Sequence, residues 1–344
     1  MKFGLWDHVD QSDLPLAELF DKRLEYVAAA DKAGFYCYHV AEHHITPLNM
    51  VPAPSVYLGA VARVTKQIRM GPLVYLLPLY TPLRLIEEIS MLDHLSHGRL
   101  DVGVGRGISP YELEHFPVNF ETGREVMFES LDVIIKGLTN ERLNHAGEYF
   151  TYNDAPMELR PLQQPHPPIW YGSSSEVGSE WAGDTGLNFV TLGSMAQAKQ
   201  CVDTYKEAYA KRGAPAIPGD NFPGGTAIGV VRHLVIADSV EEAVAVGKPA
   251  YDHWYASLTK LQRNHVAGPV IAKSMFEDVN EAVEKGLVLV GPPDAICEQL
   301  ESQIEELGIN YMTLGFYFGT LPHTKAMRSL ELFASEIMPK LSHL

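Results

Sequence analysis

Cysteine is scarce in this chain. Cys37, Cys201 and Cys297 are its three cysteines, and they stand far apart with no CxxC pair among them. This excludes a disulfide frame and fits the reduced thiols of a cytoplasmic protein. Long apolar runs are missing too. No stretch approaches the roughly 20 apolar residues that a membrane helix needs, and Met1, Lys2, Phe3 and Gly4 lead straight into a strand pattern without an apolar leader or cleavage site. Positive charge is in deficit: 27 Lys and Arg against 43 Asp and Glu give a net charge of −16. Such a surface offers no basic field to nucleic acid or to an anionic membrane. Neither HxH nor HExxH occurs, so the usual spacings that aim two imidazoles at one metal ion are absent and no metal is expected.

What is present is enough for a large core. The chain has 344 residues, 46% of them hydrophobic and 20% charged, the composition of a globular protein. Eight apolar runs fall at residues 3–6, 35–41, 68–77, 99–104, 169–171, 188–192, 227–236 and 311–316. Between them lie amphipathic stripes. Leu16, Leu19, Phe20, Leu24 and Val27 mark the first, which stops at Gly34. Leu85, Ile86, Ile89, Leu92 and Leu95 mark another, opened by Pro82. Ser239 followed by Glu242 reads as a capping box. Strands alternating with helices over this length favour a single (β/α)8 TIM barrel spanning residues 1–344 over a doubly wound sheet. Residues 249–287 break the alternation and read as an insertion before the eighth unit, either a lid or a rim element.

In such a barrel the C-terminal strand ends face the active-site mouth. The second run ends in Glu42, His43 and His44; the fourth in Gly105, Arg106 and Gly107; the fifth in Gly172, Ser173, Ser174 and Ser175. The serine turn leads into a helix start, where backbone N–H groups, hydroxyls and the helix dipole suit an anion. Arg106 on the neighbouring strand could fork onto the same phosphate. Adjacent strand residues point to opposite faces, so only one of His43 and His44 can face the barrel centre in regular strand geometry. A general acid/base role suits an imidazole whose ordinary pKa lies near neutrality. Trp6, Tyr75, Tyr80, Trp170 and Tyr171 are candidates to line a pocket for a planar cofactor, or plain core. The run Asp252, His253, Trp254, Tyr255 has no functional warrant from spacing or composition.

Taken in order, these motifs resemble the bacterial luciferase family of flavin-dependent monooxygenases. The resemblance runs from Met1 to Gly4, through Glu42, His43 and His44, through residues 92–99 and 103–107, to Glu180, Trp181 and Ala182. It continues in His253, Trp254 and Tyr255 and in the tail at 332–339. It implies a barrel that binds FMN at its mouth, with reduced FMN supplied by a separate NAD(P)H:flavin reductase. O2 would add to the flavin C4a position, and the resulting peroxide would oxidise a small organic substrate such as an aldehyde or ketone. His43 carries over as the catalytic imidazole, with His44 and Glu42 as supports. Arg106, Gly105, Gly107, Ser173, Ser174 and Ser175 carry over as cofactor-binding positions, and a non-proline cis peptide under the flavin falls on Leu73 and Val74. Two departures stand out: the luciferases have Glu at the position of Ser174, and a reactive cysteine where this chain has Gly105. The second puts light emission in doubt. A homodimer is expected, since no second subunit is encoded in this chain. The rival readings are a deazaflavin (F420) oxidoreductase on the same fold, a non-catalytic flavin-binding subunit and a metal-dependent hydrolase.

Overall fold

The computed structural model describes residues 1–212, 222, 226–264 and 275–344. Its sheet closes into a ring of eight parallel strands. The first strand, Lys2–Asp7, pairs with the second, Cys37–Val40, on one side and with the eighth, Tyr311–Gly315, on the other. The second pairs with Arg69–Pro72, and after a two-residue break the same run continues as Tyr75–Leu76, which pairs with the fourth strand, Val102–Gly105. Ile169–Gly172, Asn188–Thr191 and Ile228–Ile236 complete the ring back to the eighth strand. The break falls at Leu73–Val74, whose peptide bond is cis.

The helices form where the pattern places them. Helix Leu16–Ala33 ends at Gly34, which takes the left-handed φ of 86° that a side chain disfavours. Helix Pro82–Leu95 starts with its proline in the first turn, where the missing N–H has no helical partner to lose. Ser239 caps helix Val240–Arg263 by accepting the Glu242 N–H at 3.1 Å. The returning Glu242 carboxylate accepts from the Asp238 N–H at 3.4 Å, one residue before the expected partner.

Two features depart from the sequence pattern. Residue Pro249 lies inside helix Val240–Arg263, so the chain does not leave the alternation there. A further parallel strand, Val288–Gly291, pairs with the seventh strand outside the ring, from His233↔Val288 to Ile236↔Gly291. Of the segment expected as a lid or rim insertion, residues 265–274 lie outside the described residues. A small antiparallel hairpin, Arg142–Ala146 with Thr151–Pro156, sits in the polar connection before the fifth strand.

Aromatic rings fill the barrel interior. Trp170 lies 5.0 Å from His39 and 5.1 Å from Tyr311, and Tyr311 Oη is 2.8 Å from His39 Nε2. At the end of the first strand, Asp7 accepts from buried Arg23 at 2.9 Å and from the Tyr38 hydroxyl at 3.0 Å. Arg23 also donates to the Tyr317 carbonyl at 2.6 Å, tying the first helix to both neighbouring strand ends. Beyond this plug the C-terminal ends of the strands are left to line a cavity.

Candidate active site

The cavity has a volume of about 620 Å³. Its wall is built from strand ends and the loops that follow them: Trp6 and His8, Ala41 to His43, Leu73 and Val74, Gly105 to Ser109, and Tyr171 to Ser175. Trp254 and Leu258, one turn apart on helix Val240–Arg263, close another side.

His43 sits just past the end of the second strand, which stops at Val40. Its Nδ1 lies 3.1 Å from Glu112 Oε1, and the other Glu112 oxygen accepts the His44 backbone N–H at 2.8 Å. Glu112 stands in the short helix Pro110–Leu113, and its own N–H is held by Ser109 Oγ at 3.3 Å. An ionised carboxylate can only accept, so Nδ1 carries the proton and the Nε2 of neutral His43 is a free base. Burial opposes charge on His43, but the Glu112 carboxylate, together with those of Glu42 and Asp10, outweighs it, and the imidazole holds its proton above the ordinary range. Glu112 shows the reciprocal effect: burial would raise it, yet His43 and the His44 backbone N–H hold it below the usual carboxylate range.

His44 and Glu42 form a second pair. His44 Nε2 is 2.9 Å from Glu42 Oε1, while Glu42 Oε2 accepts the Leu76 N–H and the Tyr80 hydroxyl, both at 3.0 Å. His44 packs its ring against Phe116 and is absent from the cavity wall. Glu42 thus ties the second strand end to the third, just beyond the cis peptide. Gly105 lies against that same turn. A Cβ added there would come within 2.5 Å of Val74 Cγ2, so the two positions are fitted to each other.

The serine turn is also in place. Ser175 caps helix Glu176–Thr185 by accepting the Gly178 N–H at 3.2 Å. Ser173 Oγ reaches Ser175 Oγ at 3.2 Å, and Ser174 donates to the Leu192 carbonyl. Two guanidinium groups line the cavity with them. Arg106 stacks over the Phe120 ring at 4.4 Å, and neither Arg106 nor Arg124 makes an ion pair among the described residues. Burial lowers the Arg106 pKa, and the charge of Arg124 lowers it further. The carboxylates of Glu121 and Glu125 partly offset this without pairing with Arg106, and like charges held together without an ion pair suit an anionic ligand. Of the expected aromatic lining, Trp6 and Tyr171 reach the cavity; Trp170 is core, and Tyr75 donates or accepts across 2.9 Å with Ser55. No cluster of His, Cys, Asp and Glu among the described residues could hold a metal ion.

Four residues of the wall escape a reading of the sequence. Glu112 and Arg124 sit in polar stretches where spacing says nothing. His8 follows a strand without any motif around it. Trp254 has a signal only through its place in the His253, Trp254, Tyr255 motif.

The model of the family described as luciferase-like monooxygenase matches residues 1–311. The chain belongs to the luciferase-like monooxygenase family. This monooxygenase is 33% identical to an uncharacterised Sinorhizobium fredii protein, y4wF, over 99% of its own length and 97% of the relative's. It is 26% identical, over 99% and 96% of the two chains, to the oxygenase component of the flavin-dependent trigonelline monooxygenase of Acinetobacter baylyi. In structure it matches the oxygenating constituent of 3,6-diketocamphane monooxygenase from Pseudomonas putida, solved with FMN. There the TM-score is 0.78 and the identity 21%, over 99% and 98% of the chains. That likeness shows that the two share a fold.

Proposed function

We propose that the protein is the oxygenase of a two-component, FMN-dependent monooxygenase. It takes reduced FMN from a separate NAD(P)H:flavin reductase and uses O2 to oxidise a small organic substrate such as an aldehyde or ketone. The observation that carries this reading is one cavity holding both Arg106 and Arg124, without carboxylate partners, and the His43–Glu112 pair. Family membership and a relative named as an oxygenase component agree with it.

The residues present fit FMN. Arg106, Arg124 and the Ser173 to Ser175 turn would hold its phosphate, and the Leu73–Val74 turn with Gly105 would lie against its ring system. When bound and reduced, the flavin supplies the electrons that activate O2: one oxygen atom enters the substrate and the other leaves as water. The chain's own residues do the rest. His43 exchanges a proton at Nε2, oriented through Nδ1 by Glu112. Glu42 and His44 fix the loop that carries it. Trp6, Leu76 and Trp254 exclude water from the reacting atoms. The three buried, free thiols suit a cytoplasmic setting. No helix among the described residues is long and apolar enough to cross a membrane. A homodimer is part of the same reading.

The test is a titration with FMN, followed by turnover with a flavin reductase, NADH and O2 against aldehydes and ketones. Tight FMN binding and substrate-dependent consumption of O2 are expected. Binding of F420 with none of FMN, or flavin binding without any oxygenated product, would replace this reading.

A further inference from the structure

His8 is the cavity residue that the proposed chemistry leaves unused. It lies beyond the first strand, its ring 4.2 Å from Trp6 and 5.3 Å from His43. Its Nδ1 receives the indole N–H of Trp254 at 3.1 Å. An indole nitrogen can only donate, so Nδ1 of His8 must be the acceptor and the single ring proton must sit on Nε2. Trp254 therefore selects one tautomer. It also disfavours the cation. Charging His8 would place a proton on Nδ1 and set two donors against each other across 3.1 Å. Nε2 has no protein partner among the described residues, and His8 lines the cavity.

We propose that His8, held by Trp254 as its neutral Nε2–H tautomer, is the donor that selects and orients an uncharged, oxygen-bearing substrate beside His43. Two imidazoles in one cavity thus have opposite assignments. His43 has its proton on Nδ1, held by Glu112, and offers Nε2 for proton exchange; His8 offers a fixed N–H. A carbonyl oxygen satisfies that donor. A hydrocarbon of the same shape leaves it buried and unpaired, which costs binding. A carboxylate would favour the imidazolium form that Trp254 opposes. Burial, together with the fields of His43, His233 and Arg23, acts the same way and keeps His8 well below the ordinary histidine range. The oxidation step rests on the monooxygenase reading; the recognition step does not.

The test compares cyclooctanone with methylenecyclooctane, in which CH2 replaces the oxygen. Their binding to the FMN-loaded protein is measured by ligand-observed NMR. The wild type should prefer the ketone by about fivefold, the usual worth of one neutral hydrogen bond. His8→Leu should erase the preference while leaving FMN affinity and hydrocarbon binding in place. His8→Gln, which keeps a donor near the Nε2 position, should restore part of it. Imidazole 15N shifts should show Nε2 protonated and Nδ1 bare in the wild type, and a mixed tautomer in Trp254→Phe. An unchanged preference in His8→Leu, a loss confined to FMN affinity, or a cationic His8 at neutral pH overturns the proposal. If FMN does not bind at all, the monooxygenase reading fails, and the same ketone preference measured on the flavin-free protein still decides the role of His8.

Discussion

His43 and Glu112 are 69 residues apart in the chain and meet at 3.1 Å. One comes from the loop after the second strand, the other from a four-residue helix beyond the fourth. The contact fixes the tautomer and raises the proton affinity of the imidazole that the proposed function puts at the reacting centre. Its partner is a group that no motif announces.

Removing that carboxylate should therefore move the pH profile. In Glu112→Gln burial is opposed only by the more distant carboxylates of Glu42 and Asp10, and the His43 pKa falls. The limb of the turnover–pH curve that reports His43 should shift to lower pH. A profile that stays in place would show that His43 does not govern it.

The same pair makes folding stability depend on pH. His43 has a raised folded pKa, so its contribution is complete below its unfolded value near 6.5 and is lost as pH rises through the folded value. Glu112 has a lowered one, so its contribution is complete above about 4.5 and is lost as pH falls through the folded value. The urea midpoint of the wild type, less that of His43→Gln, should be greatest between those two values and shrink on either side.

Arg106→Ala and Arg124→Ala should each weaken FMN binding by roughly 10- to 100-fold, the range for one charge-assisted hydrogen bond. Riboflavin, which lacks the phosphate, should bind all three proteins alike. Flavin fluorescence quenching at two salt concentrations reads both outcomes. Equal losses for riboflavin would place the two arginines elsewhere on the ligand.

Gly105→Ala tests the fit of the cavity floor. Its new methyl group would lie 2.5 Å from Val74 Cγ2, so Val74 has to move. Overpacking of this kind costs about 1–3 kcal/mol. Thermal unfolding should show the loss, and FMN affinity should fall with it. A variant as stable as the wild type would mean that the turn yields freely.

Arg23→Met should cost about 3–5 kcal/mol, because it leaves the Asp7 carboxylate buried without its cation. Asp7→Asn with Arg23→Met should recover much of that loss, since the double variant removes both charges. Urea denaturation of the wild type and the two variants measures it.

The barrel was legible because its rule is repetitive. Apolar runs alternating with amphipathic stripes place all eight ring strands, and Gly34, Pro82 and Ser239 mark helix ends by local chemistry alone. The ninth parallel strand, Val288–Gly291, follows directly on a segment whose pattern is irregular, and four buried residues are too short a signal to separate from a helix flank. A boundary at Pro249 follows from the broken alternation of residues 249–287, yet helix Val240–Arg263 passes through that proline. At the site, residues on strand ends could be found and their partners could not. His43, Arg106 and the serine turn follow strands in sequence. Glu112, Arg124 and Trp254 reach the cavity through tertiary packing, which spacing does not encode, while His8 directly follows the first strand with no motif to mark it.

Closure of the ring has a consequence for synthesis. The first strand is an edge until Lys2 meets Tyr311. A ribosome adding about 5–20 residues per second leaves that edge without its partner for roughly 15–60 s. Through that interval the row of unpaired backbone groups from residue 2 to residue 7 is open to any extended segment nearby, another copy included. Emerging chains of this protein should need shielding at their first strand, and chains cut short before Tyr311 should aggregate through it.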